Sequence, residues 1–288
     1  MSEAQMLYVV GAQKAGTTWL HRYLQDHPDC FVPPSKEAHY WDDRLNAQPL
    51  NFLSRRLTKL TADLERARQN GKKINALLRR HADTISAIGM HAGPGHDAYV
   101  QFMNRGRADE PVMADITPAY CTLDRASFSE MSELHPDCKF VFIMRDPVER
   151  LWSAIRMYYE DFIAETGTDF STHLDEFEDG IPGRFHSRSD YKRTIQELEA
   201  VIPADRLHFA FYETMVLPNG VTPITDFIGI KAIAPNTEKR VHTGEKRNLP
   251  GDLEDLFHRK LNGQYRFLHD KFGAEIPAKW RAALPGGR

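Results

Sequence analysis

Two clusters of residues in this 288-residue chain have the types and spacing to hold anions. The first is Gly11-Ala12-Gln13-Lys14-Ala15-Gly16-Thr17-Thr18, between an apolar run and a segment with helical spacing. A glycine loop at such a junction presents backbone N–H groups and a helix N-terminus to an anion, the usual way of cradling phosphate. Gly11 and Gly16 let the backbone turn and approach the ligand, Thr17 and Thr18 add hydroxyl donors, and Lys14 brings a point charge able to neutralise a bridging or leaving oxygen. A Walker A loop, GxxxxGK[ST], places its lysine after the second glycine, whereas Lys14 comes two residues before Gly16. That order argues against a Mg-dependent triphosphatase and toward a different nucleotide; taken alone, the loop could also be a plain strand-to-helix connection. The second cluster is Arg145, at the end of an apolar run, and Ser153, about two helical turns into the segment that follows. An arginine fork and a hydroxyl at the carboxyl edge of a sheet suit a second phosphate, the alternative being that Arg145 pairs with Asp146 or Glu149.

These residues must be positioned by alternating elements. Met6 to Ala12, Val112 to Ile116, Lys139 to Met144 and Leu207 to Tyr212 read as strands, and Thr17 to Gln25 reads as a helix with Leu20, Tyr23 and Leu24 inward. A further helix is announced by Asp146 at the N-cap, Pro147 at its first position and Glu149 in its first turn, with Leu151, Ile155, Tyr158 and Phe162 as its apolar stripe. Strands alternating with helices predict an α/β fold, a P-loop-like three-layer αβα sandwich around a central parallel sheet. Apolar residues at Leu53, Leu57, Leu60, Leu64 and Ala67, then at Ile74, Leu77, His81, Ile85 and Ile88, predict two helices broken at Asn70-Gly71. They form an inserted helical hairpin over 51–90, followed by a glycine-rich return from Gly89 to Gly95.

Together the motifs carry a family resemblance. The loop from Gly11 to Thr18 resembles the 5′-phosphosulfate loop of the sulfotransferases, and Arg145-Asp146-Pro147-Val148-Glu149-Arg150-Leu151-Trp152-Ser153 resembles their 3′-phosphate motif. Ser35-Lys36-Glu37-Ala38-His39-Tyr40-Trp41-Asp42 and Thr117-Pro118-Ala119-Tyr120 are similar to two stretches of the heparan-sulfate, or glycan, branch. The resemblance implies PAPS (3′-phosphoadenosine 5′-phosphosulfate) as sulfuryl donor and PAP as product, without a metal. It implies that Lys14, Ala15, Gly16, Thr17 and Thr18 hold the 5′ end, that Arg145 and Ser153 hold the 3′-phosphate, and that Glu37 is the catalytic base. The basic stretch at Lys246 and Arg247 resembles the loop that closes over the 3′-phosphate. His39 is the rival base: if 35–41 is extended, Glu37, His39 and Trp41 share one face. The glycan enzymes carry a lysine directly before their TPAY stretch; here Ile116 stands there, preceded by Asp115.

Composition narrows the remaining classes. A net charge of -3 leaves no overall positive field for nucleic acid. The apolar runs are too short to span a membrane, and Cys30, Cys121 and Cys138 form neither a disulfide framework nor a CxxC site, which leads us to expect a reducing cytoplasm; the resemblance implies a single sulfotransferase domain over 1–288. Thirteen histidines include no HExxH, so no metal site is expected. Residues 51–90 hold nine Lys/Arg against three Asp/Glu, while 160–179 hold eight Asp/Glu and no Lys/Arg; these are two solvated faces, or one of them selects acceptors by charge. The expected partner is a small-molecule, glycan or lipid acceptor. Two competing readings are a P-loop small-molecule kinase and a nonenzymatic module that binds an acidic partner through the basic hairpin.

Overall fold

The computed structural model describes residues 4–45, 50–166, 176–177, 180–235 and 249–283. Five strands form one sheet: β1 (Gln5–Gly11), β2 (Cys30–Phe31), β3 (Val112–Ile116), β4 (Cys138–Met144) and β5 (Leu207–Phe211). Their order is β2-β3-β1-β4-β5 and every pairing is parallel. Six of the seven residues of β1 and of β4, and all five of β3, are buried. Such continuous apolar runs are what a parallel sheet needs when helices cover both its faces. The expected α/β architecture is therefore the observed one. The two-residue β2 is an edge strand too short to leave a periodic signal in the sequence.

The helices that matter to the site are α1 (Thr17–Gln25), α2 (Tyr40–Leu45), α3 (Asn51–Gln69), α4 (Asn75–Gly89), α5 (Asp97–Asn104), α6 (Arg125–Leu134) and α7 (Pro147–Thr166). After them come α8 (Gly183–His186), α9 (Tyr191–Glu199), α10 (Tyr212–Met215), α11 (Thr222–Ile228), α12 (Gly251–Phe272) and α13 (Ala278–Ala282). At the start of α7, Glu149 N–H donates to Asp146 Oδ1 at 2.9 Å, the predicted cap. Its stripe runs through Leu151, Ile155 and Tyr159, all buried, rather than through Tyr158, which is 44% exposed. One residue of helical phase decides which tyrosine meets the core, and spacing alone does not resolve it.

The hairpin forms as α3 and α4, packed against each other. Gly71 at φ 62 ends α3, with Gly71 N–H bonded to Arg68 O at 3.1 Å and Lys72 N–H to Ala67 O at 2.9 Å, the paired bonds of a Schellman motif. The α4 stripe differs from expectation. Thr84 and Ala87 are its buried positions, and Ile85 is 51% exposed, because only one narrow face of α4 meets the rest of the protein. The acidic stretch over 160–179 lies almost wholly outside the described side chains.

Phe140 in β4 is fully buried, with its ring 5.0 Å from that of Tyr8 in β1. Phe140→Ala removes that packing from the sheet centre and leaves a cavity, so urea denaturation is expected to show a loss of about 3–5 kcal/mol.

Candidate active site

The loop between β1 and α1 sits at the carboxyl edge of the sheet, where open α/β sheets bind ligands. Ala12 N–H donates to Ile143 O at 2.6 Å, which ties the loop to β4, and Ala15 N–H donates back to Ala12 O at 3.1 Å. Ala15 is thus an internal brace of the loop. Gly16 has φ 89, and a Cβ placed there would lie 2.4 Å from Tyr212 Cδ2, so the loop closes against Tyr212 only with glycine. Its N-cap, Gly16, has no side chain to cap α1, whose first-turn N–H groups and dipole therefore favour an anion. Lys14 holds φ 69 and reaches α7, with Nζ 3.7 Å from Met157 Sδ. Thr17 is buried, and Thr18 Oγ1 accepts a hydrogen bond from Lys36 Nζ at 2.7 Å.

Arg145 leaves the end of β4 and meets this loop. Its Nη1 lies 3.5 Å from Lys14 O, and its guanidinium stacks over the Tyr212 ring at 5.1 Å. The alternative pairing with Glu149 is present too, at 2.9 Å, and Lys279 holds the other oxygen of that carboxylate. Arg145 Nε is nevertheless buried with no hydrogen-bond partner among the described residues. A buried guanidinium donor left open is costly unless it finds an acceptor, and an anion at the loop would be one. The junction is held rigid from several elements: Tyr191 OH donates to Arg145 O at 2.9 Å, Tyr265 OH to Asp146 Oδ2 at 3.0 Å, and Asp146 N–H to Glu213 Oε1 at 2.9 Å. Ser153 lies buried on α7, about 9 Å of helix beyond Pro147. Lys246 and Arg247 fall outside the described residues.

Residues 35–41 do not form the extended run that would align Glu37, His39 and Trp41. Glu37 and His39 both adopt left-handed backbone, at φ 63 and 54, and α2 begins at Tyr40. Trp41 turns into the core against His96 and Tyr99. The segment has no strand to pair with; instead Ala38 N–H donates to Thr117 Oγ1 at 2.9 Å and Tyr40 N–H to Tyr120 OH at 3.2 Å. The turn still brings the two candidate bases together. Glu37 Oε2 lies 3.4 Å from His39 Nε2, Glu37 Oε1 lies 3.0 Å from Lys36 Nζ, and His39 Nδ1 lies 2.8 Å from Asp42 Oδ2. A continuous line therefore runs from Thr18 through Lys36, Glu37 and His39 to Asp42.

The charges in this line fix one another. Burial by itself raises the Glu37 carboxyl, but the His39 and Lys36 cations more than offset it and hold Glu37 at about 2. Burial likewise lowers His39, yet the carboxylates of Asp42 and Glu37 prevail and lift it to about 9. At neutral pH the pair is a carboxylate beside an imidazolium.

Asp115 lies beneath the turn, fully enclosed, and accepts bonds from Thr117 Oγ1 at 2.7 Å, Tyr99 OH at 2.8 Å and Tyr120 OH at 2.9 Å. Burial pushes its carboxyl up. Because Thr117 and Tyr120 also hold Ala38 and Tyr40, Asp115 braces the backbone on both sides of His39. The sequence offered one sign of this, the Thr117 to Tyr120 motif, but no way to see that Asp115 collects its hydroxyls. From the hairpin, the Phe52 ring lies 3.8 Å from the His39 ring and Arg56 Nη1 donates to Lys36 O at 2.9 Å.

The family model described as "Sulfotransferase family" matches residues 7–232, which contain both junctions and the Glu37 turn. The chain belongs to the sulfotransferase family. The match decides against the small-molecule kinase reading. A sulfotransferase from Alicyclobacillus acidocaldarius shares this fold at a TM-score of 0.64 and 18% identity, over 98% of this chain and 100% of that one. The sulfotransferase domain of the Synechococcus PCC 7002 olefin synthase aligns at a TM-score of 0.51 and 19% identity, over 96% of this chain and 98% of that domain. No curated protein matches the chain by sequence. Within this sulfotransferase no helix among the described residues is long and apolar enough to cross a membrane, and no group of three or more His, Cys, Asp or Glu side chains is placed to hold a metal.

The Glu37 and His39 shifts set a stability window. Glu37 falls from its ordinary 4.5 to about 2, so its contribution is present above pH 4.5 and lost as the pH drops toward 2. His39 rises from 6.5 to about 9, so its contribution is complete below pH 6.5 and lost as the pH climbs to 9. Thermal unfolding is expected to show greatest stability between about pH 4.5 and 6.5, and His39→Gln is expected to flatten the decline from pH 6.5 to 9. An unchanged alkaline limb in that variant rejects the ion pair.

Proposed function

We propose that this sulfotransferase moves a sulfuryl group from PAPS to a hydroxyl or amine of a small-molecule, glycan or lipid acceptor. The observation that carries this reading is the contact between the two junctions. Arg145, with its open Nε, lies against the Lys14 carbonyl, so one ligand bearing two anionic groups can engage both the loop and the end of β4. The groups present fit that donor: an uncapped helix N-terminus, a glycine-only approach at Gly16, a lysine in the loop and a guanidinium donor beside it.

PAPS supplies the sulfuryl group and a phosphate leaving oxygen when bound. Lys14 and the first N–H groups of α1 stabilise the charge that develops on that oxygen, while Gly16, Thr17 and Thr18 shape the 5′ pocket and Ala15 braces it. Arg145 and Ser153 hold the 3′-phosphate, and the family resemblance assigns Lys246 and Arg247 to the same phosphate. Glu37 takes the acceptor proton. It is ionised throughout the neutral range, and its low proton affinity means that transfer occurs only as the new O–S bond makes the acceptor hydroxyl acidic. His39, already protonated by its two carboxylate neighbours, has no lone pair to offer and serves to orient Glu37. The Lys36–Asp42 and Thr117–Tyr120 stretches support a place near the glycan branch, and we take the chain to act as one domain over 1–288 in the cytoplasm.

A thermal-shift series with PAP, AMP and ATP plus Mg tests the donor site. PAP at a hundredfold excess over its Kd is expected to stabilise the protein by about 2.7 kcal/mol, and Arg145→Ala is expected to weaken PAP far more than AMP. Equal losses for both ligands reject Arg145 as the 3′-phosphate group. Glu37→Gln and Lys14→Ala are each expected to lower turnover about a hundredfold or more, the former with PAP binding intact.

A further inference from the structure

Behind Glu37, between α1 and β3, lies a small cavity of about 10 Å³ that is partly open to solvent. Its lining includes His21, Ser35, Lys36, Glu37, Met103 and Asp115. His21 Nε2 and Ser35 Oγ are both buried and have no hydrogen-bond partner among the described residues. Two residues that each carry an orphaned polar atom line one water-sized cavity whose wall is partly polar, which meets the conditions for an ordered water, normally the maker of two to four hydrogen bonds. Glu37 lines the same cavity, which makes its carboxylate the candidate third partner.

We infer that this cavity holds one water molecule bonded to His21 Nε2 and Ser35 Oγ, and that the water passes the proton taken by Glu37 on to His21. The inference rests on Glu37 being the base. In the transfer step the acceptor O–H bond breaks, the acceptor O–S bond forms, and the S–O bond to the departing PAP breaks, leaving the proton on Glu37. The water then takes that proton while giving one of its own to His21 Nε2. Glu37 is again a carboxylate and His21 an imidazolium, which releases its proton through the open side of the cavity. His39 is closed to this role because it already carries both protons. Burial and the nearby Lys36 ammonium lower His21 to about 4 while cationic neighbours hold Glu37 at about 2, so His21 keeps the greater proton affinity of the two. His21 is thus a positioning and relay residue, acting on the acceptor only through Glu37.

A crystal structure of the full chain with PAP is expected to show a water within hydrogen-bond distance of both His21 Nε2 and Ser35 Oγ; density for a water bonded to neither overturns the site. His21→Ala is expected to lower PAP release from PAPS about tenfold, with the KM for PAPS and the thermal shift with PAP unchanged. Added imidazole is expected to restore turnover, and pyrazole, of the same shape but far less basic, is not. Turnover within twofold of wild type, or equal rescue by pyrazole, overturns the relay and leaves His21 a packing residue. Should His21→Ala fail to fold, Ser35→Ala removes one anchor of the water, and is expected to lower turnover severalfold with the PAP shift retained; full turnover overturns the relay. Loss in Glu37→Gln with none in His21→Ala rejects the relay alone, whereas full turnover in Glu37→Gln rejects both the base and the relay.

Discussion

The site depends on the closeness of two strand ends. β1 and β4 are parallel neighbours, about 4.8 Å apart, so the loops leaving them at the carboxyl edge are forced together. Their contact, Arg145 Nη1 against the Lys14 carbonyl, brings a guanidinium to the loop that leads into the N-terminus of α1, whose N-cap Gly16 has no side chain. Two positively polarised groups placed side by side repel unless an anion lies between them. The fold holds that arrangement with groups from outside the loop. Tyr212 packs on Gly16 and under Arg145, Tyr191 and Tyr265 bond the Arg145-Asp146 turn, and Glu149 balances part of the charge. On the proposed reading, binding energy for a doubly anionic ligand is prepared in the folded chain before any ligand arrives.

The Glu37 turn is built on a different principle. Its backbone has no ladder to join, so buried side-chain hydroxyls replace one: Thr117 and Tyr120 hold Ala38 and Tyr40, and Asp115 holds Thr117 and Tyr120. That scaffold keeps two residues in left-handed backbone, a conformation that costs of order 1 kcal/mol or more each and persists only where the surroundings fix it. What the strain achieves is a close approach of Glu37, His39 and Lys36, whose mutual attraction then settles which group is charged. Lys36 also touches Thr18, which makes the carboxylate and the loop from Gly11 to Thr18 parts of one network.

The hairpin stands beside this turn through Phe52 and Arg56. Most of its basic residues point to solvent, so its charge acts on whatever approaches rather than on the fold. Arg56 is the exception. It is half-buried, bonded to the Lys36 carbonyl, and its proton affinity is lowered by burial and by the nearby Arg80.

Local chemistry was readable in the sequence wherever a single element carries it. The strand–loop–helix around Gly11 to Thr18, the Asp146 cap, the Asn70-Gly71 break and the run of buried strands all follow from spacing and residue type, because neighbouring residues alone decide them. The roles proposed for Lys14 and Arg145 rest on family motifs as well, since a glycine loop and an arginine each have bland alternatives. Tertiary structure alone decided the rest. That 35–41 is a left-handed turn, that Tyr159 rather than Tyr158 meets the core, that Asp115 collects three hydroxyls and that His21 and Ser35 line one cavity with Glu37 all depend on contacts between residues distant in the chain. Such contacts form only when the sheet order β2-β3-β1-β4-β5 sets the ends of β1, β3 and β4 side by side, and strand order leaves no trace in local periodicity.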